Sequence, residues 1–153
     1  MSNERTHYVT TTDGVTIGAT VHGQGPPLVF LHGIIGDGDL DWQGLLPYLT
    51  RRFTCHLPSW RGRGLSGDPP DLSFGRMVDD FIAYLDSLGE AAGVVGWSAG
   101  VDLALAMAAR SDAVDAVAAL EPAMPSLLTE QQRAAFGDAF ARMGELAEAK
   151  VGS

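Results

Sequence analysis

The sequence is short of cysteine and of long apolar runs. Its one cysteine, Cys55, excludes an internal disulfide and a cysteine-based metal site. We expect Cys55, which lies in an apolar run, to be a small buried residue. No stretch has the roughly 20 apolar residues that a membrane-spanning helix needs, and residues 1–7 lack the apolar core of a signal peptide. These absences favour a cytoplasmic protein with no metal, no cofactor and no membrane partner.

Basic residues are also few. The chain has 10 of them against 19 acidic residues, and its net charge is −9. Phosphate backbones and anionic membranes repel such a surface, so we expect no nucleic-acid partner. With 153 residues, 46% of them hydrophobic and 19% charged, the chain is typical of one globular domain.

Strands and helices are predicted to alternate along the chain. After a hairpin that turns at Asp13 and Gly14, apolar runs are followed by segments with helical spacing. The predicted strands are 8–12, 15–21, 28–31, 53–57, 92–96 and 114–120, and the predicted helices are 40–51, 73–88, 99–110 and 130–149. Continuous apolar strands that alternate with helices favour an α/β sandwich with a mostly parallel sheet, whose ligands bind at the carboxyl ends of the strands.

The segment 96–100, Gly-Trp-Ser-Ala-Gly, has the spacing of a nucleophile elbow. An apolar strand precedes it and a helix follows, as a strained strand-to-helix turn requires. Glycines two residues on either side of Ser98 would avoid collisions at this bend. The sequence therefore predicts that Ser98 is a nucleophile. Trp97 either lines a pocket or packs against the sheet.

A second segment, His32-Gly33-Ile34, ends the strand 28–31. An oxyanion hole needs two converging N–H donors, one after the nucleophile and one from the loop after the third strand. Ala99 is the candidate for the first donor and Ile34 for the second. We expect His32 to order this loop by hydrogen bonding rather than to act as a base.

These segments together resemble the α/β-hydrolase fold family. The resemblance spans 31–36, Trp42, 58–66 and 96–100, in the family's order and spacing. It implies a three-layer sandwich with an antiparallel N-terminal hairpin, Ser98 as the catalytic serine, and Ile34 and Ala99 as the oxyanion donors. Ser59 departs from the aspartate frequent in relatives, at a position that is usually structural. The basic, glycine-rich loop 61–66 lacks the phosphate-binding spacing, so we interpret it as loop architecture, with Ser66 as a hydrogen-bonding residue.

A catalytic serine also needs a base and an orienting acid, and in this fold both follow the serine along the chain. The histidines are His7, His22, His32 and His56, and all precede Ser98. Glu121, after the last predicted strand, is a candidate acid, although a plain loop carboxylate is the better interpretation. The family implies eight strands where six are predicted. We therefore expect a truncated fold, with residues 1–122 as part of the hydrolase core and 123–153 as an incomplete cap.

The leading functional hypothesis is a serine hydrolase that cleaves a small-molecule ester or similar acyl compound through an acyl-enzyme. The 153 residues alone are expected to be nearly inactive without the base. Thioester cleavage, carbon–carbon bond hydrolysis and cofactor-free haloperoxidase activity stay open, because they share these motifs. A serine rather than an aspartate at the elbow disfavours the dehalogenase and epoxide-hydrolase branches. The competing class is a non-catalytic ligand-binding protein or scaffold.

Overall fold

A computed structural model describes residues 4–123, 128–135, 138 and 142. The chain divides into two compact units, Met1–Ala123 and Met124–Ser153. In the second unit, residues 130–135 are helical, and Thr129 and Gln132 exchange hydrogen bonds as in a capping box. The rest of the predicted helix 130–149 lies largely outside the described residues. The assignment of 123–153 to a cap stays a prediction.

The first unit is built on one sheet of six strands, which confirms the predicted α/β fold. The strands are β1 (Arg5–Thr10), β2 (Thr16–Gly23), β3 (Pro27–Leu31), β4 (Thr54–Pro58), β5 (Ala92–Trp97) and β6 (Val114–Leu120), and the helices are α1 (Leu46–Leu49), α2 (Phe74–Asp86) and α3 (Ala99–Ala108). The strand order is β1-β2-β4-β3-β5-β6. β1 and β2 form an antiparallel hairpin, β2 pairs antiparallel with β4, and the strands from β4 to β6 run parallel.

Successive side chains of the central strands alternate between two hydrophobic cores, one on each face of the sheet. Val29, Leu31 and Val94 pack with α2 and α3 on one face of the sheet. Phe30 and Val95 pack with Trp42 and partly buried residues of α1 on the other. Because side chains alternate along a strand, a sheet covered on both faces needs continuous apolar strands. This is the three-layer arrangement that the sequence predicts.

Two local predictions differ from the structure. The predicted helix 40–51 is a run of turns that ends in the single helical turn of α1. Pro47 lies in the first turn of α1, where its missing N–H costs nothing, whereas inside a longer helix it would remove a hydrogen bond and clash with the preceding turn. Ser73 stands at the N-cap of α2 as predicted, but its side chain makes no capping bond.

The parallel strands β3, β4 and β5 have their carboxyl ends at one edge of the sheet. The loops that leave β3 and β5 at this edge contain the candidate residues. Among the described residues, no helix combines the length and apolar character that crossing a membrane requires.

Candidate active site

Ser98 lies at the apex of a tight bend between β5 and α3. Its φ of 54° and ψ of −121° lie outside the regions that side chains favour. The Ser98 N–H donates to the Leu120 carbonyl oxygen (3.0 Å), and the Ser98 carbonyl accepts from Val101 N–H (3.0 Å). The hydroxyl makes no hydrogen bond with any described residue and is half-buried. The bend therefore holds a strained backbone and leaves the hydroxyl open to a ligand.

Both glycines of the elbow are needed for close packing. A Cβ atom at Gly96 would lie 2.6 Å from the Gly100 carbonyl oxygen and 2.7 Å from Val101 N. At Gly100 it would overlap the Leu31 carbonyl oxygen and lie 2.8 Å from that of His32. These atoms are all backbone and cannot rotate away. The spacing of the motif thus follows from the contact between α3 and the end of β3.

The loop after β3 lies beside Ser98. Leu31 and Gly96 are register partners in the parallel pair of β3 and β5, so the two loops leave the sheet side by side. Two residues further on, a Cβ atom at Gly33 would lie 3.6 Å from Ser98 Cβ and 3.0 Å from two ring carbons of Trp97. Only a glycine fits between these side chains without displacing the indole ring.

His32 sets the orientation of the peptide that carries the Ile34 amide. Its Nδ1–H donates to the Gly33 carbonyl oxygen (2.7 Å), while its Nε2 accepts from Trp60 N–H (3.1 Å). Because the N–H of a trans peptide points opposite to its C=O, the first bond directs the Ile34 N–H away from His32. The ring is fully buried and stacks on Trp60, and burial lowers its pKa, so it is neutral. His32 thus orders the loop, as the sequence predicts.

Two further side chains hold this loop, and the sequence analysis missed both. Asp41 Oδ2 accepts the Gly33 N–H (3.2 Å), and Arg63 Nη1–H donates to the Gly36 carbonyl oxygen (3.0 Å). The Arg63 guanidinium also lies over the Trp60 ring, 5.5 Å from its centroid. Asp41 is one of three aspartates at alternate positions, 37, 39 and 41, and nothing local distinguishes it from the other two. No local spacing pairs position 63 with position 36.

The amides of Ile34 and Ala99 are open donors. Neither donates a hydrogen bond within the described part of the chain. Ala99 is the first residue of α3, where an N–H has no acceptor inside the helix, and the helix dipole places a partial positive charge there. An anion between the two loops would therefore be stabilised by the two N–H groups and by the positive end of the helix dipole.

Glu121 follows β6 directly and has a φ of 49°. Its exposed carboxylate accepts a long hydrogen bond of 3.4 Å from Trp97 Nε1–H. The contact places a carboxylate beside the residue that precedes Ser98. In the described structure the hydrogen-bond partner of the Glu121 carboxylate is thus an indole rather than a histidine.

The four histidines lie away from the Ser98 hydroxyl or are already engaged. His7 Nε2–H donates to Ser87 Oγ (2.9 Å), since that hydroxyl itself donates to the Tyr84 carbonyl oxygen (2.6 Å). His56 Nδ1 hydrogen-bonds Tyr84 Oη (2.9 Å). His22 lies opposite Cys55 in the β2–β4 ladder. No histidine contacts Ser98 in the part of the chain that the structure describes.

The loop 61–66 has a structural role, as the sequence predicts. The guanidinium of Arg61 is buried and binds both carboxylate oxygens of Asp80 (2.6 and 2.7 Å) and one of Asp13 (3.0 Å). Ser66 Oγ donates to the Ser59 carbonyl oxygen (2.7 Å) and accepts from Gly18 N–H (3.0 Å). These bonds tie the loop to α2 and to the hairpin.

Comparison with known proteins shows what the chain is similar to. A family model described as alpha/beta hydrolase fold matches residues 26–151. A pyrrolizixenacetamide deacetylase of Xenorhabdus hominickii is 33% identical over 96 residues, which cover 58% of this chain and 34% of that protein. A soluble epoxide hydrolase of Corynebacterium sp. (strain C12) is 33% identical over 99 residues, covering 63% of this chain and 34% of that protein.

A solved structure agrees with these matches. The crystal structure of an alpha/beta hydrolase from Sphaerobacter thermophilus DSM 20745 superposes with a TM-score of 0.70 at 34% identity, over 76% of this chain and 45% of that one. The chain therefore spans about a third of the length of the two relatives and under half of this structure.

Proposed function

Because the chain belongs to the alpha/beta hydrolase fold family, we propose that it carries the nucleophile of a serine hydrolase that cleaves esters or similar acyl compounds. The observation that supports this proposal best is the backbone of Ser98, strained at the apex of the β5–α3 bend, with a hydroxyl that no described residue hydrogen-bonds. Strain of this kind is kept where it serves a site, since it costs about 1–3 kcal/mol.

The proposed reaction has two halves. Ser98 Oγ attacks the carbonyl carbon and gives up its proton to a base, and the carbonyl oxygen becomes an oxyanion. The N–H groups of Ile34 and Ala99 donate to this oxyanion, each stabilising the transition state by about 3 kcal/mol. The alcohol or amine then leaves with a proton, and water releases the acid from the acyl-enzyme in the same way.

The base is not among the four histidines at the positions described above. We propose that residues outside these 153 supply the base and its orienting carboxylate, from a longer form of the protein or from a partner chain. Such a residue would act at the carboxyl edge of the sheet, where no described residue hydrogen-bonds the Ser98 hydroxyl. Glu121, bound to Trp97, needs no part in this scheme.

The relatives point to more than one chemistry. A deacetylase removes an acyl group, as the proposed reaction does, while the epoxide hydrolase opens a strained ether. A serine hydroxyl at the elbow favours the acyl reaction, because the ester that it forms with an acyl group is readily hydrolysed. Thioesters, activated carbon–carbon bonds and perhydrolysis share this first step and stay within the proposal.

Labelling with a fluorophosphonate probe tests the nucleophile. We expect the longest natural form of the protein to be labelled on the peptide that contains Ser98, as identified by mass spectrometry. Ser98→Ala should abolish labelling, because the probe reacts only with an activated hydroxyl. Ser87→Ala is the matched control, since Ser87 hydrogen-bonds a histidine, unlike Ser98 in the described residues, but lies at the end of a helix and in no elbow. Labelling that persists in Ser98→Ala would refute the assignment.

A second candidate is a ligand-binding protein that retains the elbow without turnover. The missing contact between Ser98 and any histidine in the described residues favours it. It predicts the same binding geometry but no covalent label on the natural form of the protein. The labelling experiment therefore separates the two candidates.

A further inference from the structure

A pocket of about 270 Å³ opens beside the candidate site. Its lining consists of Asp41, Trp42, Leu45, Trp97 and Leu120. Trp97 and Leu120 are register partners on β5 and β6, so their side chains stand on the same face of the sheet. Trp97, Leu45 and Leu120 are 36%, 41% and 41% exposed, which is high for large apolar residues. Four of the five lining residues are apolar, so the wall favours an apolar ligand.

The pocket and the nucleophile share a neighbour. Trp97 precedes Ser98, and a Cβ atom at Gly33 would meet both side chains, at 3.0 Å and 3.6 Å. Gly33 in turn precedes Ile34, the proposed oxyanion donor. The pocket therefore begins at the residue next to the nucleophile, so a group attached to a carbonyl at Ser98 would lie beside it.

The size of the pocket limits the group that it can hold. A dry cavity of about 150 Å³ accommodates a benzene molecule. The space beside Trp97 is larger, so it has room for one ring and a short link to a carbonyl, or for an alkyl chain of similar volume.

The charges at the pocket are of one sign. Asp41 is part of the lining, and the Glu121 carboxylate lies against the indole N–H of Trp97. No basic side chain lines this pocket among the described residues. An anionic group would meet two carboxylates and an apolar wall with no counter-charge, which disfavours its burial.

We propose that this pocket binds the acyl part of the substrate and selects neutral, apolar acyl groups about as large as phenylacetyl. The proposal rests on the proposed role of Ser98. It makes Trp97, Leu120 and Leu45 specificity-determining residues and Asp41 the residue that rejects anionic acyl groups.

Binding without turnover tests the pocket directly. In Ser98→Ala, we expect the neutral probe phenylacetamide to shift the Trp97 indole resonance in ¹H–¹⁵N NMR spectra and to saturate at a Kd of about 1 mM, as suits ten heavy atoms. Phenylacetate, its anionic isostere, should bind about tenfold more weakly because of the two carboxylates. Acetamide, which lacks the ring, should not saturate.

Two substitutions in the Ser98→Ala background test separately the effect of the apolar lining and the effect of the Asp41 charge on binding. Leu120→Asp should weaken phenylacetamide binding about tenfold or more, because it places a charge in the apolar wall. Leu105→Asp, at a residue of α3 with 44% exposure, is the matched control and should leave the Kd unchanged. Asp41→Asn should strengthen the binding of phenylacetate and thereby narrow its difference from phenylacetamide.

The outcomes are distinct. If phenylacetamide fails to saturate, or if Leu120→Asp leaves its Kd unchanged, the pocket proposal is wrong. If phenylacetate binds as well as phenylacetamide, charge selection is wrong. Binding is measured without Ser98, so a wrong nucleophile assignment would leave binding intact and remove labelling, whereas a wrong pocket would leave labelling intact.

Discussion

Two residues other than glycine have a positive φ among the described residues, and they lie next to each other in space. Ser98 directly follows β5 and has a φ of 54°, and Glu121 directly follows β6 and has a φ of 49°. The Leu120 carbonyl, which precedes Glu121, accepts the Ser98 N–H. The strain is thus shared by two adjacent strand ends, and surrounding packing must hold both, because each would relax in isolation.

Gly100 shows how much space the elbow demands. We expect Gly100→Ala to lower the free energy of unfolding by at least about 3 kcal/mol, since the added methyl group would meet two fixed carbonyl oxygens. Chemical denaturation followed by circular dichroism measures this loss. Gly75→Ala is the matched control: a Cβ atom there meets nothing within 4 Å, so the helix α2 should be unaffected or up to about 1 kcal/mol more stable. Equal stability of the two variants would contradict the packing argument.

At the scale of the element, the loop after β3 is held from three directions. The His32 ring donates to the Gly33 carbonyl oxygen, and Asp41, which lies before α1, accepts the Gly33 N–H. Arg63, from the loop after β4, donates to the Gly36 carbonyl oxygen. The glycine at position 96 could be predicted from sequence because its cause is local, the backbone of the bend itself, whereas Gly100 is required by carbonyls at the end of β3. The contributions of Asp41 and Arg63 could not be predicted, because they depend on how the chain returns after 8 and 27 residues.

Helix α2 carries two adjacent aspartates with different environments. Asp80 is 1% exposed and binds the buried Arg61, whereas Asp79 pairs with Arg110 at the surface. We expect Asp80→Asn to lower the free energy of unfolding by about 3 kcal/mol, because it leaves the buried guanidinium without its main counter-charge.

The neighbouring substitution provides the control. Asp79→Asn should change the unfolding free energy by less than about 1 kcal/mol, since its ion pair is exposed to solvent. Urea titrations of both variants, compared with the unsubstituted chain, measure the difference. If Asp79→Asn cost as much as Asp80→Asn, burial would not explain the role of the Arg61 network.

At the scale of the molecule, the alternation of strands and helices predicted the class of fold and all six strands to within a few residues. The strand order was not predicted, because periodicity does not say that β4 inserts between β2 and β3. The prediction of a helix over 40–51 was wrong for a local reason. It followed from the apolar residues at helical spacing and gave too little weight to Pro47. In the structure Trp42 packs into the core around Phe30 from a turn and Leu46 packs against it from the single turn of α1.

Histidine burial links the fold to pH. His56 lies in the middle of β4 and is 7% exposed; burial lowers its pKa to about 4, and the nearby His7 and Arg5 charges add to the effect. In the unfolded chain its pKa is about 6.5. Above about pH 6.5, His56 is neutral in both the folded and the unfolded chain, so the fold keeps the full stability that the neutral ring allows. As the pH falls from 6.5 to 4, only the unfolded chain takes up the proton, so stability is lost, and the loss levels off below 4.

We therefore expect the urea midpoint of the chain to fall as the pH is lowered from 6.5 to 4, with a shallower fall in His56→Gln. Glutamine keeps a hydrogen-bonding group beside Tyr84 Oη but does not titrate. Part of the slope should persist, because the pKa of His32 is also lowered by burial. A slope in His56→Gln equal to that of the original chain would show that a proton on His56 costs the fold nothing, and that the hydrogen bond between β4 and α2 tolerates the charged ring.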